Sequence, residues 1–283
     1  MSYYHYNPSL AAAVIFIILF TATTILHFFQ MIQTRTWFFL AFSLGGICPA
    51  VEVIGYIGRT VPDTLGAYIV QSIFLLVAPA LFAASIYMEL GRIVDLVGGD
   101  RYLYVPRRWL TRIFVIGDVL SFFMQGAGGG MMGSDNNNSR NLGEKLIVVG
   151  LFVQIVFFGC FVITAAIFHL RLRRNPTQKV IADKPPYVRH LMALYITSIL
   201  IFIRSLVRVI EFIQGFDGYI ISHEIFIYLF DAVPMLAVTL IMNWVHPSEI
   251  KKLLVGGRMA KGFTIVEPSG RRKASASDVE LVG

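Results

Sequence analysis

The sequence is short of charge. Only 14% of its 283 residues are Asp, Glu, Lys or Arg, while 56% are apolar. A soluble domain carries roughly twice that charged fraction, which argues against a water-soluble globular fold. Cysteine is scarce as well. Cys48 and Cys160 both fall within apolar stretches, so they read as packing residues and no disulfide framework is expected. Nucleotide motifs are absent: no glycine-rich loop ends in Gly-Lys-Ser/Thr, and nothing marks a site for ATP. Neither HExxH nor a paired-cysteine spacing occurs, so no metal and no cofactor is expected, and no catalytic residue is assigned. The N-terminus lacks a basic region before its first apolar run, and that run is too long for a signal peptide. It reads as a retained first helix.

What is present is a series of long apolar runs. Several exceed the length of about 20 residues needed to cross a bilayer. They are continuous rather than alternating, which argues against a β-barrel. The expected fold class is an all-α integral membrane protein, a seven-transmembrane helix bundle. Its spans fall at 9–31, 37–58, 66–90, 110–132, 145–168, 190–213 and 220–245. Residues 1–8 form an extracellular N-terminus, 9–245 the membrane domain, and 246–283 a flexible cytoplasmic tail. The net charge of +7 suggests nucleic acid until it is located. The stretches 32–36, 91–109, 169–189 and 246–283 together hold 18 Lys and Arg, and the opposite side holds 2. That bias places the N-terminus outside and the C-terminus in the cytoplasm. Membrane lipids are therefore the expected partners and nucleic acid is not. The expected location is the plasma membrane, and a homo-oligomer is compatible with the pattern.

The stretch Arg204 to Pro234 then stands out. Within apolar surroundings it carries Arg204, Arg208, Glu211, Asp217, His223, Glu224 and Asp231. Charges at membrane depth are costly, so they face a cavity or each other. Arg204, Arg208 and Glu211 are spaced four and three apart and share one helical face. Glu224 and Asp231, seven apart, share another, with His223 beside them. Glu52, Gln71 and Gln154 fall at the same outer level, and Asp118 lies nearer the middle with Gln125 above it. The expectation is a polar cavity opening outward. The plainer alternative is a set of hydrogen bonds that fix helix packing, each contributing about 1 kcal/mol. Five acids (Glu52, Asp118, Glu211, Glu224, Asp231) meet two bases, Arg204 and Arg208. In a low dielectric the surplus carboxylates either take up protons or receive a cation from outside. An amphiphilic small-molecule substrate bearing an amine is expected, with proton movement through the acids as the alternative.

Other features are read more briefly. Gln125-Gly126-Ala127-Gly128-Gly129-Gly130 is either close helix packing or an unwound helix end beside the cavity. Pro49, Pro79 and Pro234 suggest kinks. His27, His169, His190 and His246 sit near cytoplasmic ends and read as interfacial polar residues, with an intramembrane hydrolase as the disfavoured alternative. Glu89 and Arg92 read as an interfacial ion pair. Asn137 heads the one N-x-S/T sequon without proline and is a candidate for glycosylation. Ser275 follows Arg271-Arg272-Lys273-Ala274 and is a candidate for phosphorylation. The same basic run also suits a tether to anionic lipid. Residues 51–57 align with 207–213, which suggests that spans one to three repeat as spans five to seven in a 3+1+3 parallel arrangement. Chance similarity of apolar helices is the alternative.

Several motifs together resemble a known family. They are Pro8-Ser9-Leu10-Ala11-Ala12, Glu52-Val53-Ile54-Gly55-Tyr56-Ile57-Gly58-Arg59, Ala78-Pro79-Ala80-Leu81-Phe82-Ala83-Ala84-Ser85-Ile86-Tyr87 and Gly117-Asp118-Val119-Leu120-Ser121. To these add Gln125 to Gly130, Arg204 to Gln214, His223-Glu224 and Phe230-Asp231-Ala232-Val233-Pro234-Met235. The chain resembles the fungal RTA-like family of lipid-translocating exporters over about 6–247. That resemblance implies seven helices with the N-terminus outside. It also implies sphingoid-base release, resistance to toxic lipids or drugs, or porphyrin handling. A lipid-translocating exporter rather than an enzyme is the expected function. A seven-helix receptor or regulator signalling through the 169–189 loop and the tail is the alternative.

Overall fold

A computed structural model describes residues 10–47, 65–132, 136–214 and 224–267. Helix α1 runs from Leu10 to Thr34 without a glycine or proline. It stops where Arg35 turns into the left-handed region at φ 54. The Lys251 ammonium donates to the Arg35 carbonyl at 2.5 Å and braces that turn. Helix α2 (Trp37–Ile47) follows at once. Helix α3 (Leu65–Val97) passes through Pro79. Helix α4 is Arg107–Met132 and α5 is Asn137–Arg174. The Asn136 side chain caps α5 by accepting from the Asn138 N–H at 3.0 Å. With 38 residues α5 is about 57 Å long, far more than a bilayer needs. Its last turn holds Arg171, Arg173 and Arg174, which suits the negative end of the helix dipole. The short helix α6 (Gln178–Asp183) leads into α7 (Tyr187–Gln214). Helix α8 (Glu224–Ile227) continues through a π turn at Tyr228–Ala232 into α9 (Val233–Trp244).

Helix α7 displays the two-faced logic of a membrane helix. Ile196, Ile199, Ile203, Leu206, Ile210 and Ile213 are exposed at helical spacing and face where lipid would lie. Leu194, Ser198, Ile201, Arg204, Ser205 and Val209 are buried on the other side. Arg204 is thus an inward residue by phase alone. Helix α7 touches α3, α5 and α9, and α1 leans on α9.

Helices α4 and α5 form the most extensive pair. A Cβ on Gly128 would sit 2.5 Å from the Gly143 carbonyl, so only glycine permits this approach. Of the glycine run, Gly128 alone packs this closely, the helix continues to Met132, and the unwound end considered above does not form. The rest of the core mixes aliphatic side chains with a group of aromatic rings. Phe39 stacks on Phe42 at 4.4 Å between ring centroids, Phe42 meets Phe82 at 4.6 Å, and Tyr87 meets Phe161 at 4.5 Å.

The connections rich in Lys and Arg gather at one end of the bundle. Tyr102 Oη donates to the Asn175 carbonyl at 2.6 Å, and Thr177 Oγ1 donates to that of Val97 at 2.5 Å. Arg189 donates to the Trp244 carbonyl at 3.2 Å. The chain beyond Trp244 joins the same end. It was expected as a flexible tail, yet it folds as far as Glu267. Helix α10 (Ser248–Val255) and a hairpin of β1 (Met259–Lys261) and β2 (Thr264–Val266) form there. Met259 pairs with Val266 and Lys261 with Thr264. Buried Ile250 and Ala260 anchor this unit.

Candidate functional site

The last long helix changes its winding where it carries charge. Pro234 has no N–H, and its ring would strike the carbonyl four residues earlier. The chain accommodates it with the π turn Tyr228–Ala232, a feature that recurs at functional sites. Asp231 stands in this turn. Arg204 Nε donates to Asp231 Oδ1, and Arg208 Nη2 lies 3.7 Å from Asp231 Oδ2. Arg208 Nη1 also donates to both oxygens of Glu211, at 3.0 and 2.9 Å. Two cations and two anions thus interlace, with Asp231 shared between the arginines. Arg204 is 4% exposed and the other three are partly buried. Phe226 and Phe230 lie nearly parallel at 6.1 Å and line the same seam. The space left between these side chains is about 10 Å³, room for one water. Among the described residues, the place expected to open as a cavity is a narrow seam.

The remaining candidates divide among other neighbours. Tyr87 Oη donates to Asp118 Oδ2 at 2.9 Å. Asp118 Oδ1 is buried with no hydrogen-bond partner among the described residues. Gln125 Nε2 donates to Ser121 Oγ at 2.6 Å and to Gln154 Oε1 at 3.2 Å, and Ser121 Oγ donates to the Gly150 carbonyl at 2.7 Å. Asp118 and Gln125 do face inward. Among the described residues, however, no hydrogen bond or ion pair joins either one to the Arg204 cluster. The single polar level resolves into three groups because the side chains belong to different helix pairs. Glu52 and His223 lie outside the described residues, as do residues 51–57 of the suggested repeat, Pro49, Asp217 and Ser275. Of Glu224 and Gln71 only the backbone is described. Asn137 is exposed in the first turn of α5.

The histidines require a correction. His27, His190 and His246 are fully buried rather than interfacial. His190 lies between two carboxylates, with Nδ1 3.4 Å from Glu89 Oε1 and Nε2 3.3 Å from Glu249 Oε2. Glu89 is wholly buried and approaches His190, so it is not half of a pair with Arg92. The Arg92 guanidinium instead lies 3.8 Å above the Phe38 ring. His27 Nε2 donates to the Thr239 carbonyl at 3.0 Å, and Gln30 Nε2 donates to that of Gly262 at 3.0 Å. The Ser248 N–H donates to His246 Nδ1 at 3.2 Å. Among the described residues no set of three or more His, Cys, Asp or Glu side chains is arranged to hold a metal ion. These inner partners come from α3, α7 and α10, elements linked by no fixed spacing, so no local pattern signalled them.

Five described helices are long and apolar enough to cross a membrane, and charges are buried between them. They define the chain as an all-α integral membrane protein. Residues 42–253 match the family described as RTA1 like protein, and the chain belongs to that family. Three relatives come from Saccharomyces cerevisiae. Protoporphyrin uptake protein 1 is 41% identical over 275 residues, covering 83% of this chain and 88% of its own. Protein RTA1 is 38% identical over 271 residues, covering 86% and 84%. Sphingoid long-chain base transporter RSB1 is 26% identical over 279 residues, covering 85% and 72%. No solved structure matches the chain.

Proposed function

We propose that this protein moves a lipid-like amphiphile bearing an amine across the plasma membrane, and that it is not an enzyme. Seven spans carry the N-terminus outside and the basic end in the cytoplasm, and residues 51–57 and 207–213 mark a parallel repeat. The observation that carries the reading is the interlaced Arg204, Arg208, Glu211 and Asp231 cluster at the π turn. Four charges on two adjoining helices are held together with space for little more than one water. Such a cluster opens when another charge competes for one of its members. An ammonium head group competes with Arg204 for the Asp231 carboxylate. Glu52, Asp118 and Glu224 are the further acids that the two arginines leave for it, and its tail lies along the apolar helix surfaces. The relative named as a sphingoid long-chain base transporter supports a substrate of this class.

A carboxylate-bearing amphiphile is the second reading. The paired Arg204 and Arg208 and the relative named for protoporphyrin uptake favour it.

The test is reconstitution of the purified chain in liposomes, with leaflet assays for a sphingoid base and for a dicarboxylic porphyrin. Wild type moves the amine and Asp231→Asn does not. Movement of the porphyrin alone replaces the first reading with the second. If neither substrate moves, the receptor or regulator reading takes its place.

A further inference from the structure

The basic end of the bundle contains two concave spaces that the transport reading does not use. One measures about 360 Å³ and lies between the end of α1, helix α10 and the loop before β1. Arg35, Lys251, Lys252 and Arg258 line it, and among the described residues no acidic side chain does. Glu249, two residues before Lys251, turns the other way to His190. Among the described residues Glu267 is the one acid paired to this lining, at 3.1 Å from Arg258, and it is 72% exposed. Gly256, at φ 73, ends α10 and turns the chain so that Arg258 closes the space. Arg258 also approaches Gln33 at 3.5 Å.

The second space, about 370 Å³, is lined by Arg92, Arg107 and Arg108, with Asp95 paired to Arg107. A topological excess of Lys and Arg needs only that they sit in cytoplasmic connections. It does not require four cations to converge on one concavity where a single exposed acid, Glu267, pairs with them among the described residues, and where their mutual repulsion favours a further anion.

The surroundings indicate where that anion comes from. Trp244 ends a membrane helix and is 58% exposed, and Phe263 at the hairpin tip packs against it at 5.6 Å. Leu253 and Val255 are also exposed, on the same short helix as Lys251 and Lys252. Apolar and basic side chains side by side on a helix at the end of a span are the pattern of an interfacial helix. A tryptophan at that level suits the bilayer interface.

We propose that the basic cleft formed by Arg35, Lys251, Lys252 and Arg258 binds the phosphomonoester head group of a lipid in the adjoining leaflet. The lipid's glycerol and chains run past Leu253, Val255 and the Trp244–Phe263 pair. Lys252 contacts the phosphate directly, Lys251 adds a donor to it beside the Arg35 carbonyl, and Arg258 exchanges Glu267 for two of its oxygens.

The test uses the full chain in phosphatidylcholine nanodiscs containing a phosphatidylinositol monophosphate, with bound lipid counted by native mass spectrometry. Parallel discs carry the same total charge as phosphatidylserine, and a further sample receives soluble inositol phosphate. The phosphoinositide binds at a defined stoichiometry, and the triple variant Lys251→Gln, Lys252→Gln, Arg258→Gln weakens it by at least about tenfold. The variant's unfolding midpoint in plain phosphatidylcholine matches wild type, which separates loss of the site from loss of the fold. A variant with a lowered midpoint is replaced by the three single substitutions, of which at least one must weaken binding at an unchanged midpoint. Equal binding of phosphatidylserine, or equal binding by every stably folded variant, overturns the proposal. So does soluble inositol phosphate that binds as tightly as the lipid.

Discussion

Arg204 on α7 donates to the Asp231 carboxylate in the π turn, 27 residues further along the chain, and Arg208 shares the same carboxylate. Arg204 is almost wholly buried, and Asp231 is a carboxylate that balances its charge there. A broken buried pair leaves an uncompensated charge, which costs about 3–5 kcal/mol. Asp231→Asn should lower stability by that order, read as the thermal midpoint in detergent. The double variant Arg204→Met, Asp231→Leu should recover most of the loss, because it removes both charges and keeps volume. Transport in liposomes should stay absent in the double variant. Recovery of both stability and transport would make the pair a packing device.

Tyr87 gives Asp118 its one hydrogen bond among the described residues. Tyr87→Phe keeps the ring against Phe161 and removes the donor. The buried carboxylate is left unsatisfied, and the expected cost is about 1–3 kcal/mol. Asp118→Asn retains an acceptor for Tyr87 and should be milder. Thermal unfolding of the two single variants decides the order.

Gly128 and Gly143 set the spacing of α4 and α5. Gly128→Ala should cost about 1–3 kcal/mol, because the new methyl meets a backbone carbonyl rather than a movable side chain. Gly126→Ala, with nothing within 4 Å of the new methyl, should be neutral or stabilising by up to about 1 kcal/mol. The sign difference between two neighbouring glycines is the readout.

His190 ties α10 to α3 and α7 through Glu249 and Glu89. Glu249→Ala removes one carboxylate and releases α10 from the bundle. Hydrogen–deuterium exchange of 248–266 should speed up, while α4 and α5 exchange as in wild type. Unchanged exchange would show that Ile250 and Ala260 hold the unit without the ion pair.

The long apolar helices, the side that gathers the basic connections and the shared face of Arg204, Arg208 and Glu211 were legible before any fold was known. Each follows from hydropathy or helical period, which are local properties. Tyr87 gave no signal as the partner of Asp118, since one helix does not report which residue of another will face it. The burial of His27, His190 and His246 was hidden for a related reason. A histidine at the end of an apolar run looks interfacial until α10 and the hairpin fold over it. The folded segment after Trp244 was missed because it is polar and rich in glycine, and its order depends on docking to α1 and α3.

By itself, the sequence determined that this chain belongs among lipids, and that its interior would contain charge. Transfer free energy and side-chain phase depend on composition and spacing alone. The tertiary structure decided which charges meet. It paired Arg204 and Arg208 with Asp231 and Glu211, sent Asp118 to Tyr87, and buried Glu89 against His190. Those choices depend on how separate helices rotate and approach each other, and the packing of Gly128 on Gly143 and the π turn before Pro234 set that geometry.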